Sequence, residues 1–132
     1  MSTLTELGDR LVSAGVGTLA TDLFLGPMPM GVANCLAVAL INSGSPIRAM
    51  GAVSGAPVAD TPGFQVTVRH TDHTAGETRV KAVIDAFDFY SGTIGATPYL
   101  LITLEYGPVY LGLDENNRHR WTLTFRATKV RS

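Results

Sequence analysis

Two stretches carry apolar residues at helical spacing behind a polar start. Thr3-Leu-Thr-Glu6 has the form of a capping box, and Leu4, Leu7 and Leu11 follow on one face. Gly8 weakens this helix by about 1 kcal/mol relative to Ala, and Gly15 and Gly17 stand where it would end. Thr74-Ala-Gly-Glu77 repeats the capping pattern. Behind it Val80, Val83, Ile84 and Phe87 share a face, while Lys81, Asp85 and Asp88 point elsewhere. Glu77 and Lys81 are oriented for a favourable i,i+4 pair. The second predicted helix runs from Ala75 to Phe89.

Elsewhere the pattern shortens to strands. Thr18–Leu25 and Cys35–Asn42 flank the turn-like GPMPMG, and the second is apolar on both faces, as a central strand is. Gly63–His70 alternates, with Phe64, Val66 and Val68 on one side and Gln65, Thr67 and Arg69 on the other. Tyr99–Tyr106 and Arg120–Val130 are the last two long strands. In the final one Trp121, Leu123, Phe125 and Ala127 are predicted to face the core. The order α-β-β-β-α-β-β predicts an α+β fold: a mainly antiparallel sheet of about five strands with two helices packed against it. The 132 residues are expected to form a single domain.

The segment Asn42–Gly63 breaks this regularity with about twenty residues rich in Gly, Ala, Ser and Pro, a length usually reserved for functional or disordered loops. Its apolar members Ile47, Met50 and Val53 are expected to pack on a neighbouring subunit, and Ile47, Arg48 and Met50 are its candidate interface residues. Composition supports covered surface, because charged residues are only 16% of the chain, below the usual quarter. The net charge of -1 provides no basic footprint for nucleic acid and no polybasic membrane patch. No apolar stretch is long enough to span a bilayer, and the start MSTLTELGDR has no signal-peptide pattern, so a cytoplasmic site of synthesis is expected. Cys35, the single cysteine, allows no intrachain disulfide and sits in an apolar run that favours a buried, inert thiol.

The most enzyme-like stretch is His70-Thr-Asp-His73, with His119 as a third imidazole. Two histidines and Asp72 are a donor set that zinc or iron accepts. The spacing matches no metal-binding motif, and a polar strand-to-helix loop capped by Thr74 explains the same residues. Serines lie in turn-like sequence without a G-x-S-x-G elbow, and no phosphate-binding glycine loop is present. No catalytic, cofactor or metal residue is therefore assigned. DENNRHR, Asp114 to Arg120, reads as a polar hairpin turn. Arg118 is expected to hold Asp114 or Glu115 across an exposed tip.

GFQVTVRH followed by a helix, then GPVYLGLDENNRHRWTLTFRATKV, resembles the tail terminator (tail completion) proteins of long-tailed bacteriophages. The residues carrying the resemblance are Gln65, Val66, Val68 and Arg69, then Pro108, Leu111, Gly112, Asp114, Glu115, Asn116, Arg118, Phe125 and Arg126. The opening LGDRLVSAGVGTLATDLFLGPMP is similar to the family's helix-then-strand start. The resemblance implies a structural virion subunit that forms a hexameric ring on the head-proximal end of the tail tube. Such a ring stops tube polymerisation, fixes length together with the tape-measure protein, and presents the surface on which the head's connector docks. The implied partners are further copies of the chain, the tail tube protein, the head-completion (stopper) protein and the tape-measure protein. The viral genome would pass through the lumen without sequence-specific contact. No enzyme activity, metal or cofactor is implied. Asp114, Glu115 and Arg118 become candidate ring contacts beside Ile47, Arg48 and Met50. The alternatives are a head-completion stopper and, from a different class, a small metal-dependent enzyme using His70, Asp72 and His73.

Overall fold

The computed structural model describes residues 3–26, 28–29, 31–42, 47–48, 57–94 and 97–130. Helix α1 spans Thr3–Ser13 and α2 spans His73–Phe87. The strands are β1 (Leu23–Leu25), β2 (Cys35–Asn42), β3 (Ile47–Arg48), β4 (Pro57–Asp60), β5 (Gly63–His70), β6 (Tyr90–Ile94), β7 (Thr97–Leu113) and β8 (His119–Val130). They build one mixed sheet in which β1 runs parallel to β2 and every other pairing is antiparallel. Six strands lie side by side in the order β1-β2-β5-β8-β7-β6. Beyond β5, β4 pairs with Lys129 and Val130 of β8, and β3 pairs with β4. The α+β class holds. The sheet is larger than the alternation predicts, because β3, β4 and β6 lie in Gly-, Ser-, Pro- and Ala-rich sequence without a period-two signal.

The core forms on one face of this sheet. Across β5 and β8, Phe64 faces Phe125, Val66 faces Leu123 and Val68 faces Trp121, all buried. Leu7 and Leu11 of α1 and Val80, Val83 and Phe87 of α2 cover that face. The Phe64 ring lies 5.0 Å from Phe87, edge-on, and 5.3 Å from Phe125, stacked, both favourable aromatic geometries. Gln65, Thr67, Thr122 and Thr124 are half-buried on the opposite face. No helix among the described residues is long and apolar enough to cross a membrane.

Helix α1 ends in a Schellman motif. Val16 N–H reaches Leu11 O and Gly15 N–H reaches Val12 O, each at 3.0 Å, with Gly15 at φ +75°. The motif's hydrophobic contact is supplied by buried Leu11 and Val16. The Thr3 side chain of the expected capping box lies outside the described residues. The Glu6 carboxylate is buried and accepts hydrogen bonds from Thr97 Oγ1 at 2.5 Å and Tyr99 OH at 2.9 Å, fastening α1 to β7. In α2 the cap is Asp72 rather than Thr74: its Oδ2 accepts the Ala75 N–H at 3.2 Å, and the helix begins two residues early. Glu77 then meets His73 at 2.7 Å, one turn back, instead of Lys81. Asp88 closes the helix and accepts the Leu104 N–H at 2.9 Å, a second tie to β7.

The predicted strand Thr18–Leu25 shrinks to its last three residues because Asp22 builds a turn before them. Thr18 O accepts the N–H groups of Thr21, Asp22 and Leu23, and Asp22 Oδ1 accepts the Thr18 N–H at 2.6 Å. Arg79 of α2 completes the arrangement with a 2.6 Å ion pair to Asp22 Oδ2 and a 3.2 Å bond to Val16 O. Burial tends to raise the Asp22 pKa, but the Thr18 N–H and the Arg79 guanidinium outweigh it and hold the carboxyl below its ordinary 3.8. A depressed carboxyl stabilises the fold above the unfolded-state pKa, and this contribution disappears as pH falls through the folded value. Melting temperature should therefore drop as pH falls below about 4, and Asp22→Asn should flatten that drop in a pH series followed by circular dichroism.

Candidate functional site

DENNRHR does form a turn, and its internal bonding explains the residue choice. Asp114 N–H donates to Arg118 O at 2.9 Å, and Asn117, at φ +58°, donates to Asp114 O at 3.1 Å. Asp114 Oδ1 accepts the N–H groups of Asn116 and Arg118 at 2.9 and 3.0 Å, an Asx-type closure. Asp114 Oδ2 accepts Arg118 Nε at 2.7 Å. Burial works to raise the Asp114 pKa, and the Arg118 and Asn116 contacts overcome it and lower the value. The expectation of an exposed pair is corrected here, since Arg118 is only 6% exposed. Glu115, Asn116 and Asn117 are the exposed residues of the tip.

Beside the turn lies a cavity of about 420 Å³ lined by Arg69, Leu113, Asp114, Glu115, Asn116, Arg118 and Arg120. Arg69, read from sequence as an outward strand residue, is 6% exposed, because Pro29 and Val32 O atoms accept its Nη2 hydrogens. Cys35 stands opposite it on β2 and is buried, as expected. Burial pushes its thiol pKa up, against the opposing pull of Arg69, and Sγ donates to Val32 O at 3.4 Å.

The histidines do not converge into a metal centre. His70 Nδ1 accepts the Asp72 N–H at 3.0 Å, Asp72 caps α2, and His73 pairs with Glu77. His119 Nδ1 instead shares a hydrogen bond with Tyr110 OH at 2.7 Å. His73, Tyr110, His119 and Trp121 form a ring cluster with centroids 5.1–6.0 Å apart. Among the described residues no three His, Cys, Asp or Glu side chains are grouped to hold a metal ion.

A second surface was missed by the sequence reading. Pairing with β6 ends at Ile102, so among the described residues the far edge of β7 has no partner strand from Thr103 to Leu113. Tyr106, Tyr110, Leu111 and Leu113 are exposed along this stretch, Tyr106 by 68%. Their signal was the apolar density of YLLITLEYGPVYLGL, which runs past the alternation expected of a half-buried strand. Of the predicted contact residues, Ile47 and Arg48 lie on β3, away from the tip in the strand order, and Met50 and Val53 lie outside the described residues.

The family model for bacteriophage tail terminator proteins matches residues 10–131. The chain belongs to that family. The tail terminator is thus a phage structural protein, and its contacts are with other head or tail proteins. Its fold is similar to a chain of a solved structure described as the virion of a native gene transfer agent particle. The TM-score is 0.67 at 15% identity, over 98% of this chain and 96% of that one. A second solved structure is similar at TM-score 0.56 and 18% identity, over 100% of this chain and 97% of that one. At these identities the likeness is one of fold. No curated protein matches the sequence.

Proposed function

We propose that this tail terminator assembles into a closed ring, a hexamer, that caps the head-proximal end of the phage tail tube. The observation that carries this reading is the edge of β7, unpaired among the described residues, with its exposed apolar side chains. A long unpaired edge invites another strand, and burying it against a different surface of an identical neighbour is a heterologous contact, which closes into a ring or grows into a filament. Capping the tube stops its polymerisation, at a length set with the tape-measure protein. The opposite surface receives the head-completion (stopper) protein. The protein then works through surfaces and not through catalysis, within the virion, after synthesis in the bacterial cytoplasm. Proposed contact positions are Ile47, Arg48 and Met50, and Asp114, Glu115 and Arg118 at the hairpin tip.

Mass photometry and negative-stain electron microscopy test this directly. Hexamers, or rings on the ends of tail tubes, are expected, and tubes grown with the protein should stop lengthening. A strict monomer that leaves tube growth unchanged would overturn the proposal, and binding to the connector alone would favour a stopper role. The double substitution Tyr106→Asp and Leu111→Asp should abolish rings. Both side chains are exposed, so the monomer's own stability should change by no more than about 0.5 kcal/mol each.

A further inference from the structure

Arg69 and Arg120 are directly opposed residues of β5 and β8, so their side chains leave the same face of the sheet. Directly opposed like charges destabilise a strand pair, and desolvation raises that cost for a guanidinium as buried as Arg69. Among the described residues neither has a carboxylate within 4.0 Å; the ion pairs go to Arg79, Arg118, Arg126 and His73 instead. Among the described residues the buried Nε atoms of Arg69 and Arg120 have no acceptor. Both residues line the cavity beside the hairpin turn. The nearby Asp114 carboxylate is already engaged by two backbone N–H groups and Arg118 Nε.

From this geometry we infer a carboxylate-binding pocket, with Arg69 and Arg120 as the groups that receive an acidic side chain of a partner protein. Two planar guanidiniums with hydrogens to spare match the paired oxygens of a carboxylate. A single negative charge between them relieves the like-charge pair. A polyphosphate is a poorer fit, because Glu115 and Asp114 also line the cavity and would repel a chain of negative charges. Leu113 supplies an apolar wall for the methylenes of a glutamate. Only the source of the carboxylate rests on the reading of this protein as a docking ring; the pocket's preference for carboxylate does not.

A fluorescently labelled, end-blocked Gly-Ser pentapeptide with one central Glu is the probe, titrated with the full-length protein and followed by anisotropy. Saturable binding is expected, weakened at least about tenfold when Gln replaces Glu in the peptide or in Arg120→Gln. Arg126→Gln, whose side chain pairs with Glu105 outside the cavity, should bind as the native chain does. Arg120→Gln should also melt no lower than the native chain without peptide, since it removes a like-charge neighbour. A merely structural arginine would make it melt lower. If Arg120→Gln fails to fold, Arg120→Lys carries the test, keeping the charge, losing the planar fork and binding more weakly. Equal binding of the Glu and Gln peptides overturns the pocket. Displacement by inorganic phosphate at lower concentration than acetate overturns the choice of carboxylate, and acetate binding as tightly as the peptide overturns the protein source. Ring formation is scored separately, so loss of the peptide result leaves the assembly proposal standing, and the reverse.

Discussion

Trp121→Ala should lower the free energy of unfolding by about 3–5 kcal/mol. The ring is 4% exposed, and it packs closely against Gly76 of α2. Gly76 permits that approach: a Cβ there would overlap the Trp121 ring and press on His70 Cβ at 3.2 Å. Removing the indole loses its transfer free energy and leaves a cavity under a helix that Asp72 and Asp88 hold at both ends. Gly76→Ala shows the same packing from the other side. In an ordinary helix interior that change gains about 1 kcal/mol, whereas here overpacking should cost about 1–3 kcal/mol. The double variant should be less destabilised than the sum of the two, because the new methyl enters the space the ring vacates. Urea unfolding followed by far-ultraviolet circular dichroism measures all four forms, at several protein concentrations so that any assembly is separated from the fold itself. A near-neutral Trp121→Ala, or strict additivity, would contradict the packing described.

The parts of this fold that were legible in the sequence are those whose signal is local. Phe64, Val66 and Val68 on β5, and Trp121, Leu123, Phe125 and Ala127 on β8, alternate without interruption, and all are buried as the period requires. Val80, Val83 and Phe87 likewise placed α2 correctly. What escaped depends on partners distant in sequence. Arg69 belongs by alternation to the polar face with Gln65 and Thr67, and only the carbonyls of Pro29 and Val32 fold over to bury it. Thr74 and Asp72 are both good caps two residues apart, and the choice falls to Asp72, which meets the Ala75 N–H. β6 carries Gly and Ser at positions that a strand signal needs filled. At the hairpin the turn itself was legible from Asp114 and Asn117, yet the cavity beside it was not, because Arg69 arrives from another strand.

Glu6→Ala should destabilise the protein by about 2–4 kcal/mol, although the residue sits in the first turn of a helix where such a change is ordinarily worth tenths. The carboxylate is 1% exposed and is the acceptor for the Thr97 and Tyr99 hydroxyls at the start of β7. Truncation removes two charge-assisted hydrogen bonds, each worth about 1.5–3 kcal/mol, while also relieving the cost of a buried charge, so the net falls below their sum. Glu6→Gln separates the two contributions. It keeps the length and one carbonyl oxygen, so one hydroxyl stays paired while the other faces an NH2 group that cannot accept. A loss between those of the native chain and Glu6→Ala is expected. Tyr99→Phe supplies the converse. It deletes one donor and should cost less in the Glu6→Ala background than in the native chain, a coupling that a double-mutant cycle reads directly. Independent effects of Glu6 and Tyr99 would mean that the Tyr99 hydroxyl does not fasten α1 to β7. Hydrogen exchange gives the local readout: with Glu6→Ala, amides of α1 and of β7 near Thr97 should lose protection together, while those of β5 and β8 keep theirs.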